Sequence, residues 1–295
     1  MTMRVLLATD GSNDAIMATA WLAGFPLPDD THVRVLTIAS VAPSALDIPP
    51  VRDFQASLHR EARAVADSSC ATLASHFRTV EARVLEGDPR EELVRAAEDW
   101  RADLVVLGAR GLGAVKGFLL GSVSLAVARH APCPVLVVKR DARALRTALV
   151  AVDGSDESAA AVAFLARLPL NRSVAVQLLG VVEGPRFPST APAAANGVLL
   201  AAIDEIIAER STALRRALHR LIVPFGDRAS AVQWRVAVGH PTDEIVRAAA
   251  AADADLVVVG ARGLGTLKRL LLGSVSEGVL QHADRPVLIV RGGGS

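Results

Sequence analysis

The amino-acid sequence predicts an α/β protein of two tandem domains, each with a five-stranded parallel sheet and helices on both faces. The first observation is an internal repeat: residues 103–124 and 255–276 are identical at 17 of 22 positions, at an offset of 152. The second is that short apolar runs alternate with helical patterns in both halves, as in βαβ units. The third is composition: 51% hydrophobic residues, 3% aromatic residues and no Tyr give an aliphatic core typical of helices on parallel strands.

Each element of the first half follows from its local pattern. Runs of Val, Leu and Ile predict strands that are buried on both faces, and longer stretches with an apolar stripe predict helices. The clearest helix start is Asp88, which offers a capping oxygen ahead of Pro89 at the first helical position. The predicted strands are residues 3–9, 33–40, 80–86, 103–108 and 134–139, and the predicted helices are 12–24, 53–77, 89–101 and 121–130.

The second half repeats this order. At the matching helix start, His240 precedes Pro241 and is a poorer cap than an Asp. The predicted strands are residues 147–153, 173–182, 231–238, 255–260 and 286–291, and the predicted helices are 155–167, 198–222, 241–252 and 273–283.

The predicted domains are residues 1–140 and 146–292. The link between them, residues 140–146 (RDARALR), is short, so we expect packed domains rather than independent ones. The closing strands PVLVVK and PVLIVR are apolar and are expected at sheet edges. There they would pair between the two domains or between chains. We expect a pseudo-twofold arrangement within the chain, and a homodimer of that arrangement is a second level of assembly to consider.

Composition and charge argue against several partners. The net charge is +1, with 32 basic and 31 acidic residues and no basic run, so nucleic acid is not an expected partner. No apolar stretch approaches 18 residues, and the apolar start ends at Asp10, so we expect neither a membrane span nor a secretory leader. Cys70 and Cys133 are the only thiols, which indicates reduced cysteines of a cytoplasmic protein rather than a disulfide framework or a zinc site.

The repeated segment carries the pattern Gly-x2-Gly-x9-Gly-Ser. Its first Gly ends an apolar strand, where ligands bind in open α/β sheets, and we expect the first two glycines to allow close approach and positive φ. The Gly-Ser pair opens a helix whose free amides favour an anion, and the Ser hydroxyl would bind phosphate or cap the helix. Taken alone, each piece is ordinary loop or capping chemistry, but two copies at fixed spacing favour a phosphate site. The members are Gly108, Gly111, Gly121 and Ser122, and Gly260, Gly263, Gly273 and Ser274.

An acid follows the first strand of each half. Asp10 and Asp153 begin DGSND and DGSDE, segments that often only turn the chain and cap the next helix. Beside the switch point of the sheet, the same carboxylates would reach a ribose, a base or a metal bound to phosphate. Both interpretations stay open from the residues alone.

These features resemble the universal stress protein family over nearly the whole chain. The resemblance rests on the Asp after the first strand, the steps Gly87-Asp88-Pro89 and Gly239-His240-Pro241, the glycine loop and the closing strands. It implies a fold like that of the adenine nucleotide α-hydrolases, broadly Rossmann-like, and membership of the ATP-binding branch of the family, which is distinguished by the glycine loop.

The resemblance also implies which residues contact ATP. Asp10 and Asp153 would lie beside the nucleotide, and the backbones of Ile38 and Val181 would contact adenine. Arg110 and Arg262 would screen phosphate or point to solvent, two alternatives of equal weight. The glycine-loop positions above would line ribose and phosphates, and the helix starts would add the amides or hydroxyls of Val123, Ser124, Val275 and Ser276.

The expected function is nucleotide-dependent regulation in a stress response, with ATP and Mg²⁺ as cofactors and an unidentified protein partner. Neither copy has an evident general base or a Walker pattern, so we predict no catalytic residue and at most slow hydrolysis. One alternative is a nucleotide-free dimerising scaffold. Another is a dinucleotide-dependent oxidoreductase, because Gly111, Gly113 and Gly117 imitate a Rossmann fingerprint, although their loop follows the fourth strand rather than the first.

Overall fold

The computed structural model describes residues 2–40, 49–113, 120–139, 142–184, 197–264 and 271–292. All ten predicted strands and all eight predicted helices are present, within a few residues of the expected bounds. In the first half they are β1 Arg4–Ala8, α1 Asn13–Ala23, β2 His32–Ala39, α2 Pro49–Leu73, β3 Thr79–Glu86, α3 Pro89–Asp99, β4 Leu104–Gly108, α4 Ser122–His130 and β5 Val135–Val138.

The second half contains the same elements in the same order, with one addition. A 3-10 helix, Val223–Ala231, precedes the third strand of this half and was not predicted. The other elements are β6 Thr147–Val152, α5 Asp156–Arg167, β7 Ala175–Val182, α6 Gly197–Leu221, β8 Gln233–Val238, α7 Pro241–Ala251, β9 Leu256–Gly260, α8 Ser274–His282 and β10 Val287–Val290.

The ten strands form one sheet in the order β3-β2-β1-β4-β5-β10-β9-β6-β7-β8. Within each half every pair is parallel, as predicted, and β5 pairs antiparallel with β10. The register opposes Leu136 to Leu288, which occupy equivalent positions of the repeat, so an approximate twofold axis passes between them. The closing strands therefore join the two halves, which confirms the pairing between domains, and both lie inside the sheet rather than at its outer edges.

Two hydrophobic layers cover the sheet and continue across both halves. One layer contains buried residues of α1, α2, α5 and α6, and the other contains buried residues of α3, α4, α7 and α8. Successive strand residues alternate between them: Leu7 and Val35 face α1 and α2, whereas Leu6 and Leu36 face α3 and α4. This alternation follows from the period of two in a strand.

Two cations tie the halves together beside the axis. Lys139, directly after β5, donates from Nζ to the carbonyl of Leu280 at 2.7 Å and to that of Ala283, at the end of α8. Arg291, directly after β10, donates to the carbonyls of Ala128 and Arg129 in α4, at 2.7 and 2.6 Å. Each half therefore places a cation on the carboxyl end of the other half's helix, where the helix dipole favours positive charge.

The helix caps follow the sequence. The Asp88 carboxylate accepts from the Arg90 amide at 2.8 Å, whereas His240 makes no capping hydrogen bond. The predicted strong and weak helix starts are both confirmed. Among the described residues, no helix is long and apolar enough to cross a membrane, and both cysteines are free thiols.

Candidate functional site

A crevice opens at the carboxyl ends of β1 and β4, where the strand order changes direction. The chain leaves β1 towards β2 and later returns to β4 on the other side of β1. The connections after β1 and β4 therefore diverge, and open α/β sheets bind ligands at such a point. Asp10 follows β1, and Gly108 ends β4, so the topology brings these two predicted residues to the same edge. Asp153 and Gly260 are placed in the same way in the second half.

The acid after the first strand holds the glycine loop. Asp10 Oδ1 accepts from the Ser12 amide at 3.0 Å, and its Oδ2 accepts from the Leu112 amide at 2.9 Å. The carboxylate therefore turns the start of α1 and also ties down the loop after β4. A Cβ on Gly111 would lie 2.4 Å from Asp10 Oδ2, so a side chain at this position would displace the carboxylate that holds the loop.

The second half repeats that arrangement. Asp153 accepts from the Ser155 amide at 2.9 Å and from the Leu264 amide at 3.0 Å. A Cβ on Gly263 would lie 2.4 Å from Asp153 Oδ2. Two carboxylates thus organise two loops in the same manner.

The strand-end glycines serve helix packing. A Cβ on Gly108 would lie 2.5 Å from the carbonyl carbon of Asp14 in α1, and one on Gly260 would lie 2.8 Å from that of Glu157 in α5. Close approach was predicted, but the prediction of positive φ is wrong for these glycines and for Gly111 and Gly263. Here glycine is needed for space rather than for a left-handed backbone.

Uncapped amides begin α4. Gly121 occupies the N-cap position without a side-chain capping bond, and the first helical hydrogen bond runs from Leu125 N to Gly121 O. The amides of Ser122, Val123 and Ser124 have no partner in the described part of the chain. These donors and the helix dipole favour an anion at this end of the crevice.

The serine hydroxyls of this helix start have different roles. Ser122 is exposed and does not cap the helix. Ser124 is buried, and its hydroxyl donates to the carbonyl of Gly108 or Ala109, at 2.8 and 3.0 Å. Ser276 likewise donates to the Gly260 carbonyl at 2.5 Å. The Ser124 and Ser276 hydroxyls thus close the base of each glycine loop, and the donor that each of these serines offers to a ligand is its amide.

The second copy starts its helix in the same way. Gly273 is the N-cap without a side-chain capping bond, and the first helical bond is Glu277 N to Gly273 O. Ser274 is exposed and Val275 is half-buried, as are Ser122 and Val123 respectively. Both copies thus present first-turn amides in the same position.

The end of β2 contributes backbone groups. Leu36 O accepts from Thr9 N at 3.0 Å, so the even-numbered residues of β2 turn their backbone groups towards β1. At the level of Ile38, β1 has already ended, and the Ile38 N–H and C=O have no partner among the described residues. Val181 holds the equivalent position in β7, beyond the end of β6. Sequence reasoning selected both residues.

The two loop arginines are ion-paired. Arg110 Nε lies 3.2 Å from Asp14 Oδ2, and Arg262 Nη2 lies 2.5 Å from Glu157 Oε1. Neither points freely into solvent, so that alternative is wrong. Each guanidinium instead holds its glycine loop against the helix that follows the first strand of its half, which is α1 for Arg110 and α5 for Arg262.

The first crevice is a cleft of about 1070 Å³, enough for a nucleotide-sized ligand. Its wall includes all nine predicted first-half site residues, from Asp10 to Ser124. It also includes residues that sequence reasoning missed: Thr37 in β2, several residues of α2, and Gln281 and His282 at the end of α8. No sequence signal reveals the last two, because they lie in the other half of the chain.

All predicted site residues are described, but parts of the surrounding loops are not. These are residues 114–119 of the first glycine loop, residues 265–270 of the second, and residues 41–48 after β2. Among the described residues, no group of three or more His, Cys, Asp or Glu side chains is arranged to hold a metal ion.

The geometry defines a class of protein, namely a duplicated α/β protein with a ligand cleft at a topological switch point. The family model described as the universal stress protein family matches residues 1–139 and 144–291, and the chain therefore belongs to that family.

Individual relatives agree with this assignment. A universal stress protein of Mycobacterium tuberculosis is 30% identical over 301 residues, covering 97% of this chain and 96% of the relative. A shorter universal stress protein of Thermus aquaticus is 34% identical over 140 residues, covering 47% of this chain and 100% of the relative. The crystal structure of a universal stress protein from Archaeoglobus fulgidus covers 98% of this chain and 96% of its own, with a TM-score of 0.64 and 22% identity. At that identity the likeness shows the fold alone.

Proposed function

We propose that this universal stress protein binds ATP, with Mg²⁺, in the first cleft and in its repeat in the second half, and that it acts as a nucleotide-dependent regulator in a stress response. The observation that carries the proposal is the convergence of unpaired backbone groups on one cleft. Three first-turn amides of α4 lie at one end, and the N–H and C=O of Ile38 lie at the other. The first set suits phosphates, and the second suits the hydrogen-bonding edge of a base.

The spacing of these groups fits a nucleotide. β2 and β4 are separated by β1, and neighbouring strands lie about 4.8 Å apart. Gly121 N donates to the Ala109 carbonyl at 2.8 Å, so the start of α4 adjoins the end of β4. The base-binding and phosphate-binding ends are therefore about two strand spacings, or about 10 Å, apart, a separation that a nucleoside polyphosphate can span. The apolar side chains between them, including Leu107 and Val123, would pack on the base and sugar.

Binding without rapid turnover is the expected activity. The Asp10 carboxylate already accepts two backbone amides, so it is committed to the loop rather than poised as a general base. A nucleotide that contacts the loop held by Asp10 and the first turn of α4 would stabilise that surface for a protein partner. Mg²⁺ would accompany the phosphates, since the described residues supply few carboxylates of their own.

The test removes one amide from each helix start. Ser122→Pro deletes the hydroxyl and the N–H at the first helical position, which accepts proline, and Gly121 before it has the extended φ of −81° and ψ of 156° that proline requires. Ser274→Pro does the same in the second half, where Gly273 has φ −77° and ψ 153°. Ser122→Ala and Ser274→Ala are the matched controls, because they delete only the hydroxyls.

Calorimetric titration with ATP and Mg²⁺ should give about two sites per chain for the parent. Each single Pro variant should lose one site, and the double variant should lose both while circular dichroism stays unchanged. GTP and cyclic AMP test the preference among nucleotides, and mass spectrometry of the denatured protein identifies any nucleotide that is purified with it. A parent protein that carries none and does not bind added ATP would contradict the proposal and favour a nucleotide-free scaffold.

A further inference from the structure

A buried hydroxyl in the wall of the first cleft has no hydrogen-bond partner in the described part of the chain. Thr37, in β2, is 4% exposed, and its Oγ1 makes no hydrogen bond with any described residue. Thr37 lines the cleft, on the sheet face that carries α1 and α2. Since buried polar groups are nearly always paired, a hydroxyl left unpaired at the wall of a cleft points to a ligand atom.

The neighbouring hydroxyls are satisfied. Thr9, level with Thr37 on β1, accepts from the Gly11 amide at 3.4 Å. Thr19, in α1, donates to the Ala15 carbonyl at 3.0 Å and is 3% exposed. Thr37 differs from both. The residues of α2 that line the cleft are Leu58, Glu61, Ala62 and Val65, and even the one carboxylate among them, that of Glu61, makes no hydrogen bond with Thr37 Oγ1.

In the second half, the space at the position equivalent to Thr37 is filled by an apolar side chain. Gly180 takes the place of Thr37, as shown by its register opposite Val152 at the end of β6. A Cβ on Gly180 would lie 2.6 Å from Leu214 Cδ2, and Leu214 is 7% exposed. The repeat therefore has no room and no hydroxyl where the first half has both. The two copies differ here although their glycine loops agree.

We propose that the Thr37 hydroxyl hydrogen-bonds to the nucleoside part of the ligand in the first cleft and makes that cleft bind the nucleotide more tightly than the second. Thr37 adjoins Ile38 at the base end, one strand beyond β1 and far from the amides of α4. Its partner is therefore an atom of the base or the ribose rather than a phosphate oxygen. The proposal rests on nucleotide binding as the function of this cleft.

The test uses the full chain carrying Ser274→Pro, so that only the first cleft is measured. Thr37→Val keeps the shape of the side chain and removes the hydroxyl, and Thr37→Ser keeps the hydroxyl. In titrations with ATP and Mg²⁺, Thr37→Val should weaken binding about tenfold, the loss of one hydrogen bond, and Thr37→Ser should bind nearly as the parent does. A parallel titration with 2′-deoxyATP separates the ribose from the base: equal affinity of parent and Thr37→Val for this analogue assigns the contact to the 2′-hydroxyl.

Stability without ligand gives a second readout. Thr37→Val removes an unpaired buried hydroxyl, so its Tm without nucleotide should rise. Thr19→Val is the matched control, because it removes a paired hydroxyl away from the cleft: its Tm should fall and its affinity for ATP should stay unchanged. This opposite pair of shifts separates a ligand-binding hydroxyl from a structural one.

The outcomes are distinct. Tight binding by the parent together with unchanged affinity in Thr37→Val would overturn this inference and leave the proposed function intact. A fall in Tm for Thr37→Val with unchanged affinity would make the hydroxyl structural and would also overturn it. No binding by the Ser274→Pro parent, although the chain without that substitution binds, would overturn this inference alone. No binding by either chain would overturn both proposals.

Discussion

Lys139 carries a buried ammonium where the two halves meet. We predict that this group makes the free energy of unfolding rise with pH in the alkaline range. The residue is 5% exposed, and burial lowers the pKa of its ammonium from 10.5 to about 8. Above pH 8 the folded protein releases this proton, whereas the unfolded chain keeps it until about pH 10.5. The unfolded state then binds more protons, so the free energy of unfolding increases with pH. At about 1.36 kcal/mol per pKa unit, the full increase is about 3 kcal/mol.

The two thiols act in the opposite direction. Burial raises the pKa of the Cys133 thiol from 9.0 to about 12, and burial also raises the pKa of the half-buried Cys70 thiol above 9.0. Above pH 9 the unfolded chain therefore loses these protons first, and the free energy of unfolding decreases. The chain has no Tyr and only three lysines, so few other groups titrate in this range. We expect a gain of about 1 kcal/mol between pH 8 and 9 and no further gain above pH 9, where the two thiols oppose Lys139.

Urea denaturation followed by circular dichroism at several pH values from 7 to 10.5 measures this profile. Lys139→Met should show no rise between pH 8 and 9. Cys133→Ser should extend the rise of the parent beyond pH 9, because the more deeply buried of the two opposing thiols is gone. A parent protein whose free energy of unfolding is the same at pH 8 and 9, and whose profile matches that of Lys139→Met, would refute the reasoning.

Three further predictions concern packing, the seam and a helix cap. Gly108→Ala should lower the free energy of unfolding, measured with urea, by about 1–3 kcal/mol, because the new Cβ would meet the Asp14 backbone. Gly113 has no described atom near the position of a Cβ, so Gly113→Ala should change that free energy by less than about 0.5 kcal/mol. Equal effects of the two substitutions would contradict the steric argument. Arg291→Met should lower stability by about 2 kcal/mol through lost hydrogen bonds to the end of α4, and an unchanged urea midpoint would show that the contact contributes nothing. Asp88→Ala should lower the Tm at pH 7 but much less near pH 2. Hydrogen bonds from Arg90 hold the pKa of Asp88 at about 2, so the parent loses its charged cap as the pH falls through that value. A Tm difference between variant and parent that does not depend on pH would exclude the charged cap.

Much of the fold could be predicted because its signals are local. Valine- and leucine-rich runs gave the strands, and Asp88 with Pro89 gave a helix start that the structure confirms. The duplication extended each inference to the second half. The pairing of β5 with β10 stayed one of two alternatives, since an apolar closing strand favours any partner strand equally. The 3-10 helix Val223–Ala231 carries no periodic signal and was missed.

The site was predictable where its chemistry resides in the backbone. Glycine spacing and the helix start located the loop, but they did not show why glycine is required. At Gly111 the reason is the Asp10 carboxylate, a contact across about a hundred residues. Thr37 was missed because a threonine in a strand is ordinary, and only the surrounding packing shows that its hydroxyl lacks a partner.

The helices α4 and α8 run antiparallel across the axis, held by an ion pair between Arg129 and Glu277 at 2.7 Å. As a result, the end of α8 forms part of the first cleft through Gln281 and His282. In a dimer of identical single domains, any substitution in such a wall would appear in both clefts at once. Fusion into one chain removes that constraint, because a substitution at Gln281 or His282 in the second half would change the first cleft alone. For the same reason, an isolated first half, residues 1–139, would lack part of its cleft wall and would expose β5 as an edge strand.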